Sequence, residues 1–107
     1  MEAFSNRLAR AVRRCGNPVM VGLDPRIEHL PESIRPKEGL LNLEQQAAAF
    51  KTFCRGVIDV VAPLVPVVKP QAAFFEQLGP VGMVALGDIV RYATEKGLLV
   101  VLDGKRN

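Results

Sequence analysis

The chain has 107 residues, of which 49% are hydrophobic and 23% are charged, the ordinary balance of a globular protein. No apolar stretch approaches the roughly 18 residues that a membrane span needs. No apolar segment accompanies the N-terminal arginines, so the sequence does not predict a secretory signal. We therefore expect neither a membrane protein nor a secreted one.

The formal net charge of +3 arises at the N-terminus, where Arg7, Arg10, Arg13 and Arg14 are opposed only by Glu2. On a helix these arginines would lie largely opposite an apolar face. No aromatic residues are interleaved with them, so a solvated helix face explains them better than nucleic-acid binding. We expect no nucleic-acid partner.

The two cysteines, Cys15 and Cys54, occupy apolar positions of predicted helices. We expect both to be buried free thiols and not a disulfide. Free thiols are typical of cytoplasmic proteins. No CxxC or Cys/His spacing predicts a metal site. The sequence thus favours a cytoplasmic location and no bound metal.

Helix signals recur along the chain. The first helix is predicted for residues 2–15 and ends at Gly16, because glycine commonly terminates helices. The second begins after Asn42, a typical N-cap with Gln45 as its capping-box partner, and Pro63 ends it. Its apolar stripe, with a period of 3.6 residues, comprises Ala47, Phe50, Cys54, Val57, Ile58 and Val61.

A third helix is predicted from Gly79-Pro80 to Lys96, because proline is favoured in a first helical turn, and Gly97 follows it. The connection that precedes this helix is expected to be a loop, with its polar side chains structural and its two phenylalanines packed beneath it. The predicted apolar stripe of the helix is Met83, Leu86, Val90 and Ala93.

Three apolar runs, each ending in a charged residue, are predicted strands: residues 19–24, 64–69 and 98–103. Runs of this kind are typical of strands buried on both faces of a parallel sheet. Pro66 restricts the second strand to residues 67–69, since proline cannot donate to a ladder. The predicted order is βαβαβ with a leading helix, which defines an α/β protein.

Charged side chains at the ends of these strands predict a site. In α/β barrels the catalytic groups lie at the C-terminal ends of the strands. Side chains alternate along a strand, so Asp103 and Lys105 share one face of the third strand. With ordinary stagger, Asp24 and Lys69 would converge on the same place, where opposite charges stabilise one another.

Three segments carry a family resemblance: Val21-Gly-Leu-Asp-Pro-Arg26, Val67-Val-Lys-Pro-Gln-Ala-Ala-Phe-Phe-Glu76 and Val101-Leu-Asp-Gly-Lys-Arg-Asn107. They resemble the opening motifs of orotidine 5′-phosphate decarboxylases, above all the longer bacterial subfamily. The resemblance implies a partial (β/α)8 TIM barrel, about the first three βα units with a leading helix. Residues 1–107 are then expected to be the N-terminal portion of a single barrel domain, truncated after strand three.

The resemblance also implies a role for each site residue. Asp24 would bind the ribose, and Lys69 would bridge the ribose and the carboxylate of Asp103. Asp103 would face the substrate carboxylate, and Lys105 would deliver a proton to C6 as carbon dioxide leaves. The reaction, from orotidine 5′-phosphate to uridine 5′-phosphate, is the last step of de novo pyrimidine synthesis and would need no metal or organic cofactor.

The family works as a homodimer, and its Asp-x-Lys-x-x-Asp motif would place the last Asp just after Asn107. That Asp would reach into the partner's active site, while the phosphate and base contacts would come from later strands. The 107-residue chain alone is therefore expected to be inactive.

Two alternatives stay open. The first is another barrel enzyme with the Asp-x-Lys-x-x-Asp motif, such as a magnesium-dependent sugar-phosphate decarboxylase or aldolase, although the segment that follows Lys69 argues against it. The second is a non-catalytic truncated remnant.

Overall fold

A computed structural model of the chain describes residues 2–35 and 42–104. The strands form one parallel sheet in the order β1-β2-β3. The predicted α/β fold, with a leading helix and βαβαβ order, is confirmed. The elements are α1 (Phe4–Cys15), β1 (Met20–Leu23), a 3-10 turn (Ile27–His29), α2 (Leu43–Val61), β2 (Val67–Pro70), α3 (Ala72–Glu76), α4 (Pro80–Glu95) and β3 (Leu99–Val100).

Helix α1 ends as the sequence predicts, with Gly16 in the left-handed region at φ 75°. Two of its arginines contact other residues of the chain. Arg10 forms an ion pair with Glu2, and Arg14 donates to the carbonyl of Gly97 at 3.2 Å. The basic face of this helix is thus partly engaged with its own chain.

Helix α2 begins at the predicted N-cap, where the side chain of Asn42 accepts a hydrogen bond from the Gln45 N–H at 3.0 Å. The predicted apolar stripe is confirmed, because Phe50, Cys54 and Ile58 are fully buried. This stripe packs toward the sheet and supplies much of the core.

The segment after β2 contains a short helix, α3, that the sequence analysis missed. Phe75 of this helix is fully buried, and its ring meets the ring of Phe50 edge to face, with centroids 5.8 Å apart. Such pairs are favourable beyond their buried area. The expectation that Phe75 packs beneath this connection is confirmed, although the connection is helical.

Register aligns the C-terminal ends of the strands. Leu23 of β1 pairs with Pro70 of β2. One residue further on, Gln71 forms a parallel bridge with Asp103, beyond the end of β3. The strand ends therefore lie side by side at the edge where the site is predicted.

Strand β3 is shorter than the predicted run, since regular pairing includes only Leu99 and Val100. The N–H groups of Val101 and Asp103 nevertheless donate to carbonyls of the β2 strand, each at 3.0 Å. Alternate hydrogen bonds thus keep the extended chain beside β2 as far as Asp103.

Only one face of the sheet is fully covered within the described residues. Leu23 and Val68 belong to the core that the helices share. On the opposite face Met20 is 47% exposed, and Leu99 and Val101 are half-buried. The expectation of strands buried on both faces is therefore wrong for β1 and β3, because the described helices pack on one side of the sheet. It holds for the central strand β2, where both Val67 and Val68 are buried.

Helix α4 begins at Pro80 and is followed by Gly97 at φ 87°, as predicted. Its predicted apolar stripe is partly wrong, because Met83 is 46% exposed although Leu86 and Ala93 are buried. The small residues Gly82 and Ala85 face the core where the larger Met83 was expected, because α4 packs closely on the neighbouring elements. The buried face consists of Gly82, Ala85, Leu86, Ile89 and Ala93.

Gly82 marks a close approach of α4 to the end of α3 and the turn that follows it. A Cβ at this position would lie 2.0 Å from the carbonyl oxygen of Phe75 and 2.8 Å from Cβ of Leu78. Neither atom belongs to the end of a flexible side chain, so only glycine fits there.

No helix in the two described ranges combines the length and the apolar character that crossing a membrane requires.

Replacing Gly82 by alanine should lower the free energy of unfolding by about 1–3 kcal/mol, because the new methyl group collides with backbone. Gly87 is a matched control in the same helix, since a Cβ there meets nothing within 4 Å. Gly87→Ala should raise stability by up to about 1 kcal/mol through helix propensity. Urea unfolding followed by far-UV circular dichroism compares the variants, and similar effects of the two would contradict the packing argument.

Candidate active site

Four polar residues lie at the shared edge of the sheet. Asp24 follows β1, Lys69 lies within β2, Gln71 follows β2 and Asp103 follows β3. The Gln71 N–H donates to the carbonyl of Leu23 at 3.2 Å, which places Gln71 beside Asp24. Because side chains alternate along strands, this register places all four on the face that the described helices leave open.

Lys69 and Asp103 come together at this edge. Nζ of Lys69 lies 3.8 Å from Oδ2 of Asp103, with the side chains 36% and 26% exposed. Partial burial strengthens the attraction relative to a fully solvated pair, although solvent still screens it. The site thus holds a cation and an anion in adjacent positions.

Asp24 occupies the neighbouring strand end and is itself exposed. A Cβ on Gly22, two residues earlier on the same face, would lie 3.3 Å from Oδ2 of Asp24. The carboxylate therefore leans back over the end of β1, where it remains accessible to a ligand.

Gln71, which the sequence predicts to be structural, also belongs to this group of side chains. Its Nε2 donates to Oδ2 of Asp103 at 3.2 Å. Its Oε1 is buried and has no hydrogen-bond partner in the part of the chain that the structure describes. Strand alternation would have identified it, because Gln71 follows Lys69 by two residues.

Lys105 lies outside the described residues. Its position beside Asp103 and its part in the site remain predictions from the sequence.

The described acidic, cysteine and histidine residues include no group of three or more that could hold a metal ion. The polar groups that the structure brings together are instead a lysine, an amide and carboxylates. This set suits the binding of hydroxyl groups and the stabilisation of charge.

Cys54 lies in the core of α2 and is electrostatically linked to the site. Burial, and to a smaller extent the negative charge of Asp24, raises the pKa of its thiol to about 12. The thiol is therefore neutral at ordinary pH. Both cysteines are free thiols, as expected, but Cys15 is only half-buried.

The raised pKa predicts unequal reactivity of the two thiols. At about pH 8, iodoacetamide should modify Cys15 much faster than Cys54, because the buried thiol of Cys54 is inaccessible and neutral. Mass spectrometry of tryptic peptides measures both rates, and denaturation in urea should make them similar. Equal rates in the folded chain would contradict the burial of Cys54.

Parallel strands with helices on one face, and charged groups at their C-terminal ends, define part of an α/β barrel. Comparison with known proteins supports this assignment to an α/β barrel. The curated orotidine 5′-phosphate decarboxylase of Rhodopirellula baltica is 51% identical over 107 residues, which is 100% of this chain and 35% of that protein. The decarboxylase of Streptomyces coelicolor is 40% identical over 106 residues, 99% of this chain and 35% of that protein.

Solved structures give the same result. The crystal structure of a Toxoplasma gondii protein assigned as an orotidine-monophosphate decarboxylase matches with a TM-score of 0.76 at 30% identity. The match covers 94% of this chain and 31% of that one. No protein-family model matches the chain.

The chain is thus related along its whole length to the orotidine 5′-phosphate decarboxylase family, and it spans about a third of the length of these relatives. The family resemblance seen in the three motifs is confirmed, and so is the partial (β/α)8 barrel.

Proposed function

We propose that this chain forms part of a decarboxylase that converts orotidine 5′-phosphate to uridine 5′-phosphate and carbon dioxide. The Lys69–Asp103 pair at the strand ends, with Asp24 on the neighbouring strand, is the observation that carries the proposal. In this view residues 1–107 are the N-terminal portion of a single barrel domain.

Substrate binding is assigned to Asp24 and Lys69. The exposed carboxylate of Asp24 can accept hydrogen bonds from ribose hydroxyls. The ammonium of Lys69 has three donors and lies 3.8 Å from Asp103, so it can contact both the ribose and that carboxylate. Together these groups would orient the ribose, and with it the pyrimidine ring, above the strand ends.

The chemical step is assigned to Asp103 and Lys105. The bond between C6 and the substrate carboxylate breaks, carbon dioxide leaves, and the electron pair remains on C6. Lys105 gives its proton to C6, which forms uridine 5′-phosphate, and the neutral lysine regains a proton from water. Asp103 lies beside the departing carboxylate, where like charge disfavours the bound ground state.

Lysine suits this role better than arginine. An ammonium near C6 stabilises negative charge as it develops, and it can then transfer its proton. A guanidinium stabilises charge but does not give up its proton near neutral pH. The reaction as written balances without a metal or an organic cofactor.

We further propose that the complete barrel acts as a homodimer in the cytoplasm. The family motif would supply, just after Asn107, an aspartate that completes the charge network of the partner subunit. The proposed partners are the small-molecule substrate and a second copy of the protein, with no role for nucleic acid or membrane.

The proposal is tested with a decarboxylase chimera, in which this chain replaces the matching segment of the Rhodopirellula baltica relative. The chimera should consume orotidine 5′-phosphate, with EDTA having no effect. The 107-residue chain alone should show no turnover, because remote contacts with phosphate and base supply much of the barrier reduction. Absorbance of orotidine 5′-phosphate follows the reaction. A folded but inactive chimera, or loss of activity in EDTA, would contradict the proposal.

Substitutions in the chimera should separate chemistry from binding. Lys105→Ala should lower kcat by more than about 10³-fold, since it removes both the proton donor and the charge at C6. Asp24→Ala should act more mildly and partly on KM, because a ribose contact contributes to binding. Lys96→Ala, at the exposed C-cap of α4, is the control. Small, equal effects of the two site substitutions would contradict the assigned roles.

A further inference from the structure

We propose that Gln71 is a positioning residue, whose side-chain amide holds the Asp103 carboxylate in the place that the reaction requires. This inference rests on the proposed decarboxylase function.

The backbone fixes Gln71 and Asp103 side by side. The N–H of Gln71 donates to Leu23 at 3.2 Å, which anchors Gln71 to β1. On the other side, Asp103 donates its N–H to Pro70 at 3.0 Å and accepts from the Ala72 N–H at 2.9 Å. These bonds enclose Gln71 between the two aspartate-bearing strand ends. The side chains of Gln71 and Asp103 therefore start from adjacent, ordered backbone positions.

The amide of Gln71 lies nearer to the Asp103 carboxylate than the ammonium of Lys69 does. Nε2 of Gln71 lies 3.2 Å from Oδ2 of Asp103, whereas Nζ of Lys69 lies 3.8 Å from it. The first distance is within the range of an N–H···O hydrogen bond, and the second is longer than that range. Lys69 thus acts on the carboxylate through its charge, while Gln71 supplies a directional contact that restrains the position of Oδ2.

The carbonyl oxygen of the Gln71 side chain indicates that stabilising the fold is not the whole reason for the contact between Nε2 and Asp103. With Nε2 directed at the carboxylate, Oε1 faces away, and it is buried without a hydrogen-bond donor among the described residues. Reversing the amide would place two acceptors against each other. A buried, unpaired carbonyl oxygen disfavours the folded state. An apolar side chain of the same length would avoid this cost, but it would leave Asp103 without its amide donor.

Gln71→Met in the decarboxylase chimera separates positioning from stability. Methionine keeps the length of the side chain and removes both polar atoms. We expect kcat to fall about 10- to 100-fold, because a slightly misplaced catalytic group is costly, with KM changed less than about threefold. The Tm should be unchanged or higher, since the unpaired oxygen is gone. A purely structural role predicts the reverse, a lower Tm that accounts for the lost activity.

Gln71→Glu provides a second test. It keeps the shape of the side chain but replaces the donor by a carboxylate facing Asp103, so kcat should fall further than in Gln71→Met. Gln45→Glu makes the same change at an exposed position of α2 and should leave kcat unaltered.

Two results would overturn the inference while leaving the proposed function intact: Gln71→Met with kcat within about threefold of the parent chimera, or a fall in Tm that parallels the loss of activity. A folded parent chimera that is inactive would instead overturn the proposed function, and this inference with it.

Discussion

The parallel pairing of β2 with both of its neighbours is the constraint on which the rest of the structure depends. It brings Leu23 level with Pro70, and Gln71 level with Asp103. Each strand then delivers its next polar side chain to the same edge. A shift of one residue would turn the site residues of one strand toward the helices, where an unpaired charge is strongly unfavourable.

The same pairing explains how charged groups are tolerated so close to a core. Phe75, Cys54 and Val68 are fully buried a short distance beneath the strand ends. The polar residues avoid this region because strand alternation directs them to the opposite face. Asp103 there receives the attraction of Lys69 and a hydrogen bond from Gln71. Neighbouring groups thus offset part of the desolvation of its carboxylate.

Local signals allowed much of the fold to be predicted from the sequence. Gly16, Asn42, Pro63 and Gly97 define helix ends through backbone chemistry that does not depend on distant contacts. The three strands were found because long apolar runs end in charged residues. The family was recognised from short motifs at those same strand ends.

Features that depend on packing between elements could not be predicted in this way. The buried face of α4 includes Gly82 and Ala85, and a pattern of large apolar residues overlooks such small ones. Met20 reads as a buried strand residue, although its exposure depends on what covers the second face of the sheet. The residue type of Gln71 does not indicate its contact with Asp103, which follows from register.

The two faces of the sheet separate the residues of the core from those of the candidate site, which matters for protein engineering. Residues such as Leu23 and Val68 belong to the core that holds the helices, while Lys69 and Gln71, on the other face, contact Asp103 in the candidate site. Because neighbouring positions on one strand face opposite sides, the helix layer can be redesigned for higher stability with the polar edge left untouched. Libraries that vary one face at a time would then explore thermostability and catalytic specificity as nearly independent traits.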